Sequence, residues 1–404
     1  MSALPKHICI ITQSHLCRNP RVLKEAILLA QNGYKVTVIN TGYSAQLSNE
    51  DDELIKPYNI KLLSAVTLQA GSMKSILLRL IGKTGRWMVR VLKMETPLAL
   101  GYYSWGYKNL ALKQDADLYI CHQEIGLYCG VQLIEQQKKV AFDLEDWYSE
   151  DLLPEAKSYR PLILLRQLEQ QALQKGVFCI STSNVMAKHL GDAYHSSEPT
   201  RIYNVFNKDR SIFDEDKQMG SPLRLFWFSQ TIGPGRGLEE FVALLHQMEA
   251  PLELHLLGNV SVEYRSLLQS GIAQKHKIFF HEPVKAALLP EKIKSFDIGL
   301  AIENTSPLSR NYTVTNKFFQ YLQAGLPVIA TRTAGQIEAF EKYKPGILIN
   351  LPAGAKDIGD LNTWLSDKQA LKNATRAAQN AAREYNWENE SKKLLSLVEK
   401  ALHE

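Results

Sequence analysis

Two kinds of apolar pattern alternate along the chain. Short, nearly continuous hydrophobic blocks fall at 7–12 (HICIIT), 35–40 (KVTVIN), 60–66 (IKLLSAV), 117–121 (DLYIC), 139–144 (KVAFDL), 177–181 (VFCIS) and 200–205 (TRIYNV), and amphipathic stretches separate them. This alternation predicts strands of a parallel sheet linked by helices. A polar segment at 207–222, ending in Gly-Ser-Pro, predicts a linker. The pattern then begins again at 223–229 (LRLFWFS), 252–258 (LELHLLG), 277–281 (KIFFH), 297–302 (DIGLAI), 326–331 (LPVIAT) and 346–350 (GILIN), and the chain closes on an amphipathic helix. The expected architecture is α/β, with two doubly wound Rossmann-like domains facing across a cleft. The first spans 1–206, the second 207–385, and a final helix at 386–404 is expected to cross back onto the first. Ligands are expected at the carboxyl ends of the strands and in the cleft.

Length and composition agree with this picture. A chain of 404 residues is too long for one typical core. With 45% hydrophobic and 22% charged residues it has the balance of a soluble globular enzyme. No segment reaches the roughly 20 apolar residues of a membrane span, and the first apolar run is too short for a signal peptide. Cys9, Cys17, Cys121, Cys129 and Cys179 form no CxxC pair, which suggests free thiols in a cytosolic protein. The net charge of +5 is mild but unevenly placed. Residues 71–94 hold Lys74, Arg79, Lys83, Arg86, Arg90 and Lys93, interleaved with apolar residues and free of acids. Such a segment suits an anionic membrane surface, with a core-packing helix bearing a solvated basic face as the plainer reading. No nucleic-acid motif accompanies it.

Three segments carry candidate chemistry. In TQSHLCRNPRVLKEA (12–26), Asn19 is a good N-cap and Pro20 a good first helical residue, but there is no GxGxxG fingerprint. Asn19 and Arg21 are candidates for a substrate-lining helix start, as Glu145 and Asp146 of DLEDWYSED are for an acceptor-side base. In SQTIGPGRGLEE (229–240), Gly233, Gly235 and Gly237 surround Arg236 just before a helix. Glycines let backbone N–H groups approach an anion, and a guanidinium can fork onto phosphate. In TNKFFQYLQAGLPVIAT (315–331), Lys317 occupies a first helical turn, where a cation opposes the macrodipole unless an anion is near. Gln320 lies one turn on and can meet a hydroxyl. Gly325 and Pro327 stop the helix. The Asp115-Ala-Asp117 triplet looks like a metal-binding DxD but precedes its strand, at the wrong end of the sheet.

Together, the GPGRGLE loop, ELHLLGN, FFHEPVKAALLPEKIKSFDIGLAI and TNKFFQYLQAGLPVIAT resemble the second domain of GT-B glycosyltransferases of family 4 (glycosyl transferases group 1). NPRVLKEAILLAQNGYKVTVI, ADLYICHQ, AFDLEDWYSED and IYNVFN follow the family's order in the first domain, and the Trp387 helix resembles its closing segment. The resemblance implies transfer of a sugar from a nucleoside diphosphate sugar, with retention and without a required metal or other cofactor. It places the donor mainly on the second domain and the acceptor on the first. Arg236 matches a donor-phosphate residue, and Thr315, Asn316 and Lys317 match the helix start beneath the diphosphate. Gln320 falls where many members have a ribose-binding Glu, and His122 matches a His beside the transferred sugar. Two positions depart from the pattern: Gln230 replaces a second phosphate-binding Arg, and Gln320 is neutral. The usual acidic pair is not visible.

The sequence thus points to a metal-independent glycosyltransferase of surface-glycan or glycolipid assembly. It is expected in the cytoplasm, peripheral on the inner face of the membrane, with a nucleotide-sugar donor, a glycan or lipid-linked acceptor and no nucleic-acid partner. A GT-B sugar-nucleotide epimerase and a non-catalytic nucleotide-sugar-binding protein are the rivals, because one fold hosts all three. The nucleotide, sugar, acceptor and linkage are not legible.

Overall fold

The structure, a computed structural model, describes residues 5–68, 71–208 and 219–403. The expected linker falls largely on 209–218, outside the described residues. The chain forms two compact units, Met1–Ile202 with Ser391–Glu404, and Tyr203–Glu390.

The first unit holds β1 (His7–Ile11), β2 (Lys35–Gly42), β3 (Ile60–Thr67), β4 (Leu118–His122), β5 (Val140–Leu144), β6 (Cys179–Ser181) and β7 (Thr200–Arg201). They make a seven-stranded sheet in the order β3-β2-β1-β4-β5-β6-β7, parallel at every pairing. Strands β1, β4 and β5 are buried along their whole length, as expected for strands covered by helices on both faces. The edge strand β3 is mostly exposed or half-buried. The second unit holds β8 (Leu223–Ile232), β9 (Leu252–Val260), β10 (Lys277–His281), β11 (Ile298–Ala301), β12 (Val328–Thr331) and β13 (Gly346–Ile349). Its six-stranded sheet runs β10-β9-β8-β11-β12-β13, again parallel.

The pleat divides the second core. Leu225 and Trp227 enter the cluster on one face of the sheet, while Phe226 and Phe228 enter the other with Phe318, Phe319 and Leu322. Those last three come from the helix Asn316–Gln323. The Gly325 N–H bonds Leu322 O at 2.9 Å, and the Leu326 N–H reaches Tyr321 O at 2.9 Å. Gly325 itself sits at φ 70, the left-handed conformation that glycine tolerates, so the helix ends where expected.

All thirteen predicted strands are present. The shortest relative to expectation is 200–205, which pairs with the sheet only over Thr200–Arg201. From Tyr203 on, the chain belongs to the second unit. The Tyr203 ring packs against Phe319 and Tyr385 with centroids 5.2 and 5.5 Å apart. Its hydroxyl donates to Glu338 at 2.6 Å, and its N–H donates to Glu390 at 3.0 Å. The last helix, Trp387–His403, is divided: Ser391 onward belongs to the first unit, where Leu394, Val398 and Ala401 are buried and Ala401 O accepts from Lys139 Nζ.

Candidate nucleotide-sugar site

In the second sheet, β8 and β11 are neighbours at which the winding reverses. Crevices at such points, outside the carboxyl ends of the strands, are where open α/β sheets bind ligands. The glycine-rich loop follows β8, and the loop beginning at Ile302 follows β11. Gly235 and Gly237 have φ 75 and 74, and a Cβ on Gly237 would come within 2.8 Å of Ile302 Cγ2. The loop therefore needs glycine at 237 for backbone shape and for close approach. Asn304 Nδ2 donates to Gly235 O at 3.3 Å and links the two loops.

At the end of β11, the Glu303 N–H donates to Thr331 Oγ1 at 2.9 Å, and that hydroxyl donates to Glu303 O at 2.7 Å. The backbone of Glu303 is thus fixed against β12. Its carboxylate accepts from Lys317 Nζ at 3.0 Å and Thr315 Oγ1 at 3.2 Å. Burial alone would raise the Glu303 pKa; Lys317, helped by Arg236 and the Thr315 hydroxyl, overcomes it and holds the carboxyl below its ordinary value. The Lys317 ammonium also lies 5.3 Å from the centre of the Trp227 ring. Glu303 is the anion that a cation in a first helical turn requires. Because the Thr315 hydroxyl is turned to Glu303, it makes no cap bond to the helix Asn316–Gln323. Asn316 is exposed beside this uncapped start, Gln320 is half-buried one turn along, and Arg236 is half-buried across the loop. Arg236 forms no ion pair among the described residues.

The sequence patterns brought Gly233, Gly235, Arg236, Gly237, Thr315, Asn316, Lys317 and Gln320 to one edge of one sheet. They offered Glu303, with Asn304, only as an alternative to Gln320 for holding the ribose, and did not foresee its pairing with Lys317. Glu303 supplies a carboxylate here although the expected acidic pair is not in its usual place. Its signal was its position directly after DIGLAI, at a strand's carboxyl end.

The first unit carries a second polar cluster at its own reversal point, between β1 and β4. Asn19 caps the helix Pro20–Gln31 by accepting from the N–H groups of Arg21 and Val22, and its Nδ2 donates to Glu145 at 3.0 and 3.2 Å. Arg21 is buried: its Nε pairs with Asp143, and Nη1 donates to Ile202 O at 2.9 Å. His122 is 0% exposed, with Nδ1 3.1 Å from Glu145 and Nε2 3.1 Å from Glu25. Burial would lower the His122 pKa, but Glu25, Glu145 and Asp143 push it up to about 10, so the ring is an imidazolium facing carboxylates on both sides. Burial pushes Glu25 up to about 7, against the pull of His122. The oxygens of Glu25 and Asp143 and a His122 nitrogen lie within 4.8 Å of one another, a spacing that could suit a metal. The Arg21 guanidinium and the imidazolium already bring positive charge to those carboxylates. His122 therefore offers no atom to solvent in this arrangement. Glu145 and Asp146 are half-buried beside it. Asp117 is engaged at the opposite end of the strands, accepting from Lys6 Nζ and the His7 N–H.

The basic segment forms the helix Met73–Trp87 and continues in a wider turn over Met88–Leu92. Ser75, Leu78, Gly82, Gly85 and Val89 are buried. The outer surface is not merely basic: Met73 is 82% exposed, and Ile76, Leu77, Leu80, Trp87, Val91 and Leu92 are each about half exposed.

Two Rossmann-like units with ligand-competent loops after their strands define a protein of GT-B fold. Residues 236–396 match the family model described as glycosyl transferase-like. Three solved structures extend the likeness over the whole length. A sucrose-phosphate synthase from Thermosynechococcus elongatus aligns with TM-score 0.71 and 15% identity, covering 98% of each chain. HepE from Anabaena, in complex with UDP and glucose, aligns with TM-score 0.63 and 15% identity over 98% of this chain and 100% of its own. A glycosyltransferase from Rickettsia africae aligns with TM-score 0.64 and 14% identity over 99% of each chain. No curated protein matches the chain in sequence.

Proposed function

We propose that this protein transfers a sugar from a nucleoside diphosphate sugar, with retention and without a metal, to a glycan or lipid-linked acceptor in surface-glycan assembly. The observation that carries the reading is the uncapped start of the helix Asn316–Gln323, with Lys317 and Arg236 beside it, inside a glycosyl transferase-like domain. The diphosphate would lie at that helix start, and Glu303 or Gln320 would take hydroxyls of the ribose or sugar. As the glycosidic bond breaks, negative charge moves onto the leaving diphosphate. Fixed cations there stabilise the transition state more than the ground state, which is what accelerates transfer. On the acceptor side, His122 acts through Glu145 rather than by contact. Its imidazolium holds the carboxylate that also binds Asn19, and so positions the loop around Asp146.

Arg236→Ala should weaken nucleoside diphosphate binding by roughly 1.5–3 kcal/mol, the range for charge-assisted hydrogen bonds, and Arg236→Lys should recover only part, because the planar fork is lost. Calorimetry with a panel of nucleoside diphosphates measures this, and unchanged affinity in the alanine variant would remove Arg236 from the site.

We propose further that the protein works at the inner face of a membrane, held by the segment 71–94. No helix among the described residues is long and apolar enough to cross one. Exposed Met73, Leu77, Leu80, Trp87 and Val91, set among six basic residues, suit insertion into the headgroup layer of an anionic bilayer. Co-sedimentation with vesicles should require anionic lipid and fall as salt screens the charges. Leu77→Glu with Leu80→Glu should abolish it. Equal binding to neutral vesicles, or none to either, argues for a solvated helix face instead.

A further inference from the structure

Gln230 puts no cation at the carboxyl end of β8: its side chain is uncharged and exposed, and its backbone carbonyl accepts from Asn259 Nδ2. A second guanidinium nevertheless reaches the glycine-rich loop from another element. Arg310 lies on the short helix Leu308–Tyr312, and its Nη1 approaches Gly235 O at 3.4 Å. That carbonyl belongs to the peptide joining Gly235 to Arg236, so the Arg310 guanidinium is anchored one residue from Arg236. The contact is long for a hydrogen bond, and it engages one of five N–H donors on a planar fork. The guanidinium is thus held near the loop without being consumed by it.

The charges point the same way. Among the described residues neither Arg236 nor Arg310 has an ion-pair partner, and both are half-buried. The carboxylate at the site, Glu303, is taken by Lys317 and Thr315. Arg236 acts on Glu303 only at a distance, through charge, and a phosphate accepts two guanidinium forks at once.

We infer that Arg310 is a second phosphate-binding residue of the donor site, which with Arg236 grips the terminal phosphate of a nucleoside diphosphate. This inference rests on the reading of the glycine-rich loop as the donor-diphosphate site. It assigns the missing cation to the loop after β11 and makes the site selective for diphosphates over monophosphates.

Titration of the native protein with UDP, GDP, ADP and dTDP identifies the best-bound diphosphate, which is then compared with its monophosphate. Arg310→Gln keeps an N–H donor for Gly235 O but removes the charge. It should weaken diphosphate binding roughly ten- to hundred-fold while changing monophosphate binding less than roughly threefold. Arg310→Lys should restore part of the loss, and in the Arg236→Ala background the effect of Arg310→Gln should shrink. If the native protein binds a diphosphate and Arg310→Gln binds it equally well, or loses both nucleotides alike, Arg310 only supports the loop and the inference falls alone. If the Gln variant melts early without ligand, Arg310→Lys decides by the same comparison. If the native protein binds none of the four, the donor-site reading falls and takes this inference with it.

Discussion

Arg21→Met is expected to destabilise the protein by about 3–5 kcal/mol, the usual cost of removing one partner from a buried ion pair. Arg21 is 1% exposed, and its guanidinium faces Asp143 and Glu25, which are buried as well. Methionine fills similar volume, so the loss comes from leaving two carboxylates in a low-dielectric interior with less positive charge around them. Arg21→Met combined with Asp143→Leu should cost less than the sum of the two single changes, since the double variant strands one fewer charge. Urea unfolding of the four proteins measures this. A single variant within about 1 kcal/mol of native would mean that the cluster is more hydrated than its burial implies.

His122→Gln should show its effect through pH. The His122 pKa is raised from 6.5 to about 10 by Glu25, Glu145 and Asp143, against burial. A raised folded-state pKa means that the folded protein holds its proton more tightly than the unfolded chain. The contribution is therefore complete below about 6.5 and is lost as pH rises through about 10. Native protein should exceed the glutamine variant in stability at neutral pH, and the gap should shrink as pH rises through about 10. Taking the difference between the two proteins cancels groups that titrate alike in both. A gap that stays constant with pH would assign His122 a packing role and remove the imidazolium from the account.

These two expectations concern the part of the molecule that sequence patterns revealed least. The strands were legible because a buried parallel strand needs a continuous apolar block, and the helix starts at Pro20 and Asn316 because caps and glycine stops are local chemistry. His122 was visible as a polar residue at a strand end. Its isolation from solvent was not, because that depends on Glu25 and Arg21, one helical turn apart, meeting Asp143 from a distant strand. Arg310, and the pairing of Glu303 with Lys317, were obscured for the same reason. Each residue sits in ENTSPLSRNYTVTNK, whose only helix before Asn316, Leu308–Tyr312, is too short for a period to tie a residue to a face, and its role emerges only when that stretch is folded against Gly235 and Lys317.

The division of the helix Trp387–His403 has a consequence for biosynthesis. Residues 203–390 form a contiguous unit, whereas the first unit includes Ser391 onward. During translation the first sheet emerges early but lacks the helix that buries Leu394, Val398 and Ala401. Those residues leave the ribosome only after the entire second unit. Domains generally fold in the order of synthesis; here the earlier one completes its core, its apolar surface open to chaperones until then, with a helix translated after the second unit.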